Sequence, residues 1–289
     1  MTIVITGATG HLGRHTLDAL LAKGVAPSDI VAGGRSTEKL ADFAERGVRV
    51  VPIDYTKPET LDAAFAGADQ VLLISASEPG QRFAQHSAAT TAAKKAGVGH
   101  LVYTSILHAD TTEHVLAPDH KATEELIAES GIPATILRNG WYTENFTSAA
   151  AQAAQSGEVV ASVGEGRVAS ASRQDYAEAA AVALTDPAVR GTTYELSGDT
   201  AWNHDDLAAA VAEIAGRPVV YRDVTPEEYG EILSGFGLDA GTVGFVVALD
   251  QNTKAGLLDS TTGELAALIG HPTTPLVEGL RADLTVQPA

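Results

Sequence analysis

Cysteine is absent from the 289 residues, which removes disulfides, thiolate metal sites and cysteine nucleophiles from consideration. The sequence has no charged-then-apolar leader and no long uncharged apolar run, so the expectation is a chain that is neither exported nor membrane-spanning and works in the cytoplasm. Basic residues are scarce, 19 against 37 acidic ones for a formal charge of −18, and no local basic stripe interrupts the scattered acids. A nucleic-acid surface needs the opposite balance. The acidity reads as a solubilising surface. Aromatic residues make up only 5% of the chain, so a cluster of them asks for an explanation. Internal repeats and low-complexity linkers are also missing.

What is present begins with MTIVITGATGHLG at residues 1–13. Ile3, Val4 and Ile5 form a short β-branched run without alternation, as in a central parallel strand covered on both faces. Gly7 then permits a tight turn, Gly10 lets the main chain approach a ligand, and Gly13 lets the following helix pack close to the strand. The free N–H groups and positive dipole end of that helix make the turn a seat for a pyrophosphate, and a dinucleotide is the expected guest. TGATGHLG, Thr6 to Gly13, has the wide T-G-x-x-G-x-x-G spacing and resembles the extended and atypical short-chain dehydrogenase/reductase superfamily.

Downstream, strands alternate with helices. Strands are expected at Ile30–Ala32, Val48–Ile53, Val71–Ile74, Leu101–Thr104 and Thr135–Leu137, with helices at Leu12–Lys23, about Leu40 and Phe43, Pro58–Phe65, Gln81–Ala96 and Pro118–Ile127. That rhythm indicates right-handed parallel βαβ units whose ligand crevice lies at the strands' carboxyl ends. The fold class is therefore α/β, a Rossmann-like doubly wound parallel sheet over residues 1–146. A smaller α+β substrate-binding region follows at 147–289, with chain partly shared between the two. Its shorter elements fall near Val159–Val163, Thr193–Leu196 and Pro218–Tyr221 (strands) and Asp205–Ala215, Pro226–Ser234 and Thr261–Ile269 (helices). The glycine-rich FGLDAGTVG around Phe236 reads as a lid over the acceptor or as a plain helix connection.

After the second strand comes Arg35 where NAD-binding chains carry a carboxylate for the ribose hydroxyls. A guanidinium suits the extra phosphate of NADP through forked, charge-assisted hydrogen bonds; the alternative is a solvated loop charge. Asp54 and Tyr55 flank the adenine or serve as turn residues. Ser75, Ala76 and Ser77 leave room for the cofactor's middle. The standard reductase serine is present as Ser105, but the Y-x-x-x-K pair is not: DHKATEE puts His120 and Glu124 at the spacing of the tyrosine and lysine. Ketone chemistry by that route is therefore doubtful. A quinone needs no strong acid, because its two carbonyls share the incoming electron pair through the ring.

TSILHAD (Thr104 to Asp110), LRNGWYTEN (Leu137 to Asn145), YELSGDTAW (Tyr194 to Trp202) and LIGHPTTPL (Leu268 to Leu276) resemble the type 2 NAD(P)H:quinone oxidoreductases of the NmrA-like group. The resemblance spans essentially the whole chain. It implies an NADP(H)-dependent, flavin-free and metal-free reductase, with Gly7, Ala8, Thr9, Gly10, His11 and Leu12 on the pyrophosphate and Arg35 on the 2′-phosphate. Ser75, Ala76 and Ser77 would take the centre, and Asn139, Gly140, Trp141, Tyr142, Thr143 and Glu144 the nicotinamide side. Arg173 would return to the cofactor from the second half, its alternative being a helix partner of Asp175. Trp141, Tyr142 and Phe146 offer a flat apolar acceptor a stacking surface, or else wedge the two regions together. His108 and His120 are the candidate proton sources, although a lone histidine is more often structural. The same group contains triphenylmethane-dye reductases and non-catalytic NADP-sensing regulators, both alternatives here. The expected partner is a small aromatic or quinone substrate, with a homodimer left open and neither nucleic acid nor membrane.

Overall fold

The computed structural model describes residues 1–78 and 80–284. Seven parallel strands form the main sheet: β1 (Ile3–Ile5), β2 (Ile30–Gly34), β3 (Arg49–Pro52), β4 (Gln70–Leu73), β5 (His100–Ile106), β6 (Ala134–Asn139) and, after a long excursion of the chain, β8 (Thr193–Leu196). Their order is β3-β2-β1-β4-β5-β6-β8, the doubly wound arrangement expected of a Rossmann-like α/β fold. Helices α1 (His11–Ala22), α2 (Ala41–Glu45), α3 (Pro58–Phe65), α4 (Arg82–Ala96), α5 (Ala117–Ser130) and α6 (Thr147–Ser156) alternate with the strands, and α7 (Arg173–Thr185) precedes β8. A second, two-stranded parallel sheet joins β7 (Glu158–Ala161) to β9 (Val220–Asp223). The remaining helices are α8 (His204–Ala215), α9 (Pro226–Gly235), α10 (Ala240–Lys254), α11 (Glu264–Ile269) and α12 (Leu276–Leu284). Among the described residues no helix is long and apolar enough to cross a membrane.

The chain divides into two compact units, each assembled from separate stretches. The first comprises Met1–Asp110, Leu116–Asn139 and Arg173–Leu196. Its strands β1, β2, β4 and β5 are buried at every position, which is why their centres, Ile3–Ile5, Ile30–Ala32, Val71–Leu73 and Leu101–Tyr103, read as apolar runs rather than alternations. The alanines of α7 explain its late return: Ala177, Ala179, Ala180, Ala181 and Ala183 are fully buried, and their small side chains let α7 pack against α1.

The second unit comprises Thr111–Val115, Gly140–Ser172 and the chain from Ser197 on. Its core gathers Ala150, Ala153, Val159, Trp202, Leu207, Val211, Leu258 and Leu280. Trp202 is 4% exposed and its indole N–H donates to Ser170 Oγ at 2.9 Å, so the ring is both packed and satisfied. The glycine-rich run near Phe236 connects α9 to α10 only as far as Asp239. From Ala240 it is helical despite Gly241 and Gly244, because Asp239 caps the turn by accepting from Gly241 N–H and Thr242 N–H at 2.9 and 3.1 Å.

Within α10, Asp250 accepts from the backbone N–H and hydroxyl of Ser162 at 2.7 and 3.0 Å, and burial pushes its carboxyl up from 3.8 to about 6. Because the folded chain binds this proton more tightly than the unfolded one, the contribution is fully present below about 4 and is lost as pH rises through about 6. Denaturant unfolding of Asp250→Asn, which keeps an acceptor for Ser162 and cannot ionise, is expected to lack that part of the decline. An unchanged pH dependence would remove Asp250 as its source.

Candidate functional site

At the end of β1 the backbone turns through Gly7, whose φ of +61° side chains rarely adopt. Gly10 caps α1 without any side-chain hydrogen bond, and the first turn carries no acidic residue. The first helical bond runs from Arg14 N–H to Gly10 O, so the N–H groups of His11, Leu12 and Gly13 precede the ladder. Side-chain caps close α8, α9 and α10 through Asn203, Thr225 and Asp239, whereas α2 to α6 lack one as α1 does, so it is the spaced-glycine turn before α1 that sets its start apart. An uncapped helix start behind a left-handed glycine fits a diphosphate group. Gly13 is fixed by packing: a Cβ there would lie 2.5 Å from Gly7 O and 2.6 Å from the Ala8 Cα.

Beside this cradle, Tyr55 places its hydroxyl 2.7 Å from Thr6 Oγ1 and 3.0 Å from Ile74 O, tying the ends of β1 and β4 to the segment after β3. Ser75 N–H donates to Thr104 Oγ1, and Ala76 N–H donates to His86 Nε2, both at 2.9 Å. With Nε2 accepting, the His86 proton sits on Nδ1, 3.0 Å from Thr123 Oγ1. Burial holds His86 neutral, its pKa lowered to about 3, so this tautomer persists at ordinary pH. Arg82 Nε donates to Ala76 O at 2.7 Å, and Ser75–Ser77 is therefore a preformed loop. Arg35 follows β2 with its side chain 68% exposed and its Nη1 2.6 Å from Glu78 Oε1.

The carboxyl ends of β5, β6 and β8 carry a denser polar cluster. Register aligns Ser105 with Arg138 and Arg138 with Glu195, a row across three neighbouring strands. Arg138 is 8% exposed and meets three carboxylates: Glu124 through Nε and Nη2 at 3.0 and 2.6 Å, and Glu195 and Asp110 through Nη1 at 2.7 Å each. Ser105 Oγ donates to Glu124 Oε1 at 2.5 Å. Glu124, at the lysine position of the standard motif, is thus held by an arginine from β6. His120, at the tyrosine position, is buried, with its Nδ1 in a 2.8 Å hydrogen bond to the Tyr103 hydroxyl.

His108 is, among the described residues, the one non-glycine residue at positive φ, +54°. Its N–H donates to Glu195 Oε2 at 2.8 Å, and its Nδ1 lies 3.4 Å from the same oxygen. The half-buried Glu195 carboxylate thus holds a backbone conformation that non-glycine residues seldom adopt. Arg138 and Glu195 escape the sequence reading; the LRN and YEL triplets that hold them give no sign that β8 pairs with β6.

Asn139 ends β6 and is 3% exposed, and Arg173 opens α7. In the second unit, Gly140, Trp141, Tyr142 and Glu144 are half-buried and Thr143 is buried, its Oγ1 2.8 Å from Ser170 Oγ. Tyr142 bridges to Ala171. Trp141 lies 5.7 Å from the His114 ring, and Phe146 packs edge-on to Trp202 at 4.8 Å. Phe146 is thus drawn into that unit's own core, while Tyr142 stays outside it.

Residues 7–187 match the model of a family described as NAD(P)H-binding. The chain is similar to quinone oxidoreductase 2 of Escherichia coli, 41% identical over 96% of this chain and 97% of the other. In solved structures, it is similar to the NADPH complex of the NADPH-dependent quinone oxidoreductase of Escherichia coli (TM-score 0.93, 41% identity, 97% and 99% of the two chains). Another is the NADP(H) complex of the Citrobacter triphenylmethane reductase (TM-score 0.93, 36% identity, 98% and 100%).

Gly13→Ala should destabilise the first unit by about 1–3 kcal/mol, since the added methyl meets backbone atoms rather than a flexible side chain. Thermal unfolding checks it, and an unshifted midpoint would mean that the turn yields without cost.

Proposed function

The chain belongs to the NAD(P)H-binding family, and on that premise we propose that it is an NADPH-dependent reductase passing hydride directly to a quinone-like conjugated acceptor, without flavin. The observation that carries this reading is the near-full-length likeness to quinone oxidoreductase 2, met here by an uncapped α1 start and a preformed Ser75–Ser77 loop. A bound nicotinamide would supply the hydride. Everything else falls to the protein: Gly7 to Leu12 bind the diphosphate, Arg35 the 2′-phosphate, Ser75 to Ser77 the central portion, and Asn139 to Glu144 with Arg173 the nicotinamide end. Trp141, Tyr142 and Phe146, all half-buried, would flank the acceptor.

Reduction of a quinone to a hydroquinone needs one proton beside the hydride. Of the two histidines, His108 is the better donor. It is half-buried just beyond the end of β5, and Glu195 holds both its backbone and its Nδ1 side. Its imidazole would hand over the proton, and with the side chain 39% exposed, solvent can restore it. His120 instead serves the Tyr103 hydrogen bond. The Ser105–Glu124–Arg138 cluster leaves no tyrosine with a lysine beside it, which suits an acceptor whose reduced form is a weakly basic phenolate.

Purified protein with NADPH should lose nicotinamide absorbance with benzoquinone and not without an acceptor. A triarylmethane dye in place of the quinone tests the second reading, favoured by the likeness to the Citrobacter enzyme. Tight binding of NADPH with no turnover on either acceptor would defeat both and return the sensor. His108→Asn, which tolerates the same backbone conformation, should lower kcat with benzoquinone by about 10-fold while leaving NADPH affinity in place. That is less than a typical general acid because water can serve as a substitute. An unaltered kcat would strike His108 from the reaction.

A further inference from the structure

All strands of the main sheet are parallel and β1 lies between β2 and β4, so residues that follow β2 and β4 flank the end of β1 on either side. Arg35 comes directly after β2 and Glu78 five residues after β4, and their side chains meet at 2.6 Å. The ion pair therefore spans the carboxyl end of β1, where the glycine turn receives a dinucleotide.

Glu78 is placed from behind. Its second oxygen accepts from Gln85 Nε2 at 2.6 Å, and Gln85 is 6% exposed on α4. The loop leading to it is fixed by Thr104, His86 and Arg82. The Gln85 hydrogen bond, and then Arg35, hold the Glu78 carboxyl below the usual carboxylate range, so the group is ionised throughout the neutral range.

The guanidinium that should receive the ribose 2′-phosphate thus already has an anion of the protein's own. An incoming phosphate must displace the carboxylate or share Arg35 with a like charge; a ribose lacking that phosphate meets no such conflict, and a carboxylate is the natural acceptor for its hydroxyl. We propose that Glu78 is a specificity-determining residue of the cofactor site, whose carboxylate competes with the 2′-phosphate for Arg35 and narrows the preference for NADPH over NADH. This rests on the reading of Arg35 as the phosphate site.

The test is equilibrium binding of NADPH and NADH, followed by nicotinamide fluorescence, to the wild-type chain and to Glu78→Gln, Arg35→Gln and the double variant. Gln at 78 retains an acceptor for Gln85 but has no charge. The expected result is a Kd for NADPH about 2–5-fold lower in Glu78→Gln, the scale of an exposed ion pair, with NADH binding unchanged or weaker and the gain abolished in the double variant. Equal changes for both cofactors would make Glu78 a structural tie, and weaker NADPH binding would make the pair a clamp; either overturns the proposal. The Arg35 reading fails separately, if Arg35→Gln leaves the ratio of the two Kd values as it was.

Discussion

Arg138 sits at the end of β6 with almost no access to water, and a guanidinium cannot be neutralised by losing its proton. It can be buried only among anions that satisfy its donors, because an unpaired charge there would cost several kcal/mol. Glu124, Glu195 and Asp110 meet that demand from α5, β8 and the loop after β5. Ordering these carboxylates fixes the rest of the site: Glu124 receives the Ser105 hydroxyl, and Glu195 receives the strained His108 N–H. One desolvated cation thus sets the positions of the two residues next to the expected chemistry.

The nucleotide end obeys a different logic. There the protein withholds groups instead of supplying them: no cap on α1, no acid in its first turn, no side chains on the three spaced glycines. Unspent backbone donors wait for an anion, and the loop opposite is held by a histidine that burial keeps neutral. Preorganisation of this kind lowers what a ligand must spend on ordering its own site.

The strands and the glycine turn were legible because buried parallel strands and a strand-to-helix phosphate turn are local patterns. Every expected strand of the main sheet appears, displaced by a residue or two at its ends. The Arg138 cluster was not legible. It depends on β8, whose segment was expected among the elements of the second half, falling into register beside β6, and nothing local in TYEL announces a partner strand. The helix at Ala240–Lys254 was hidden by its glycines, whose unfavourable propensity is outweighed by the Asp239 cap. His120 shows the reverse limit. Spacing alone put it at a catalytic position, while its burial against Tyr103 could be seen only in three dimensions.

The return of α7 and β8 to the first sheet after the chain has built part of another unit carries a consequence for biogenesis. As the polypeptide leaves the ribosome, β6 remains an open edge and Arg138 lacks one of its anions until Leu196 has emerged. Completion of the nucleotide-binding half therefore waits on non-local pairing, which is slow and leaves strand edges open to misassembly. A fragment ending soon after residue 146 would hold every glycine of the cradle and still lack the seventh strand that covers β6.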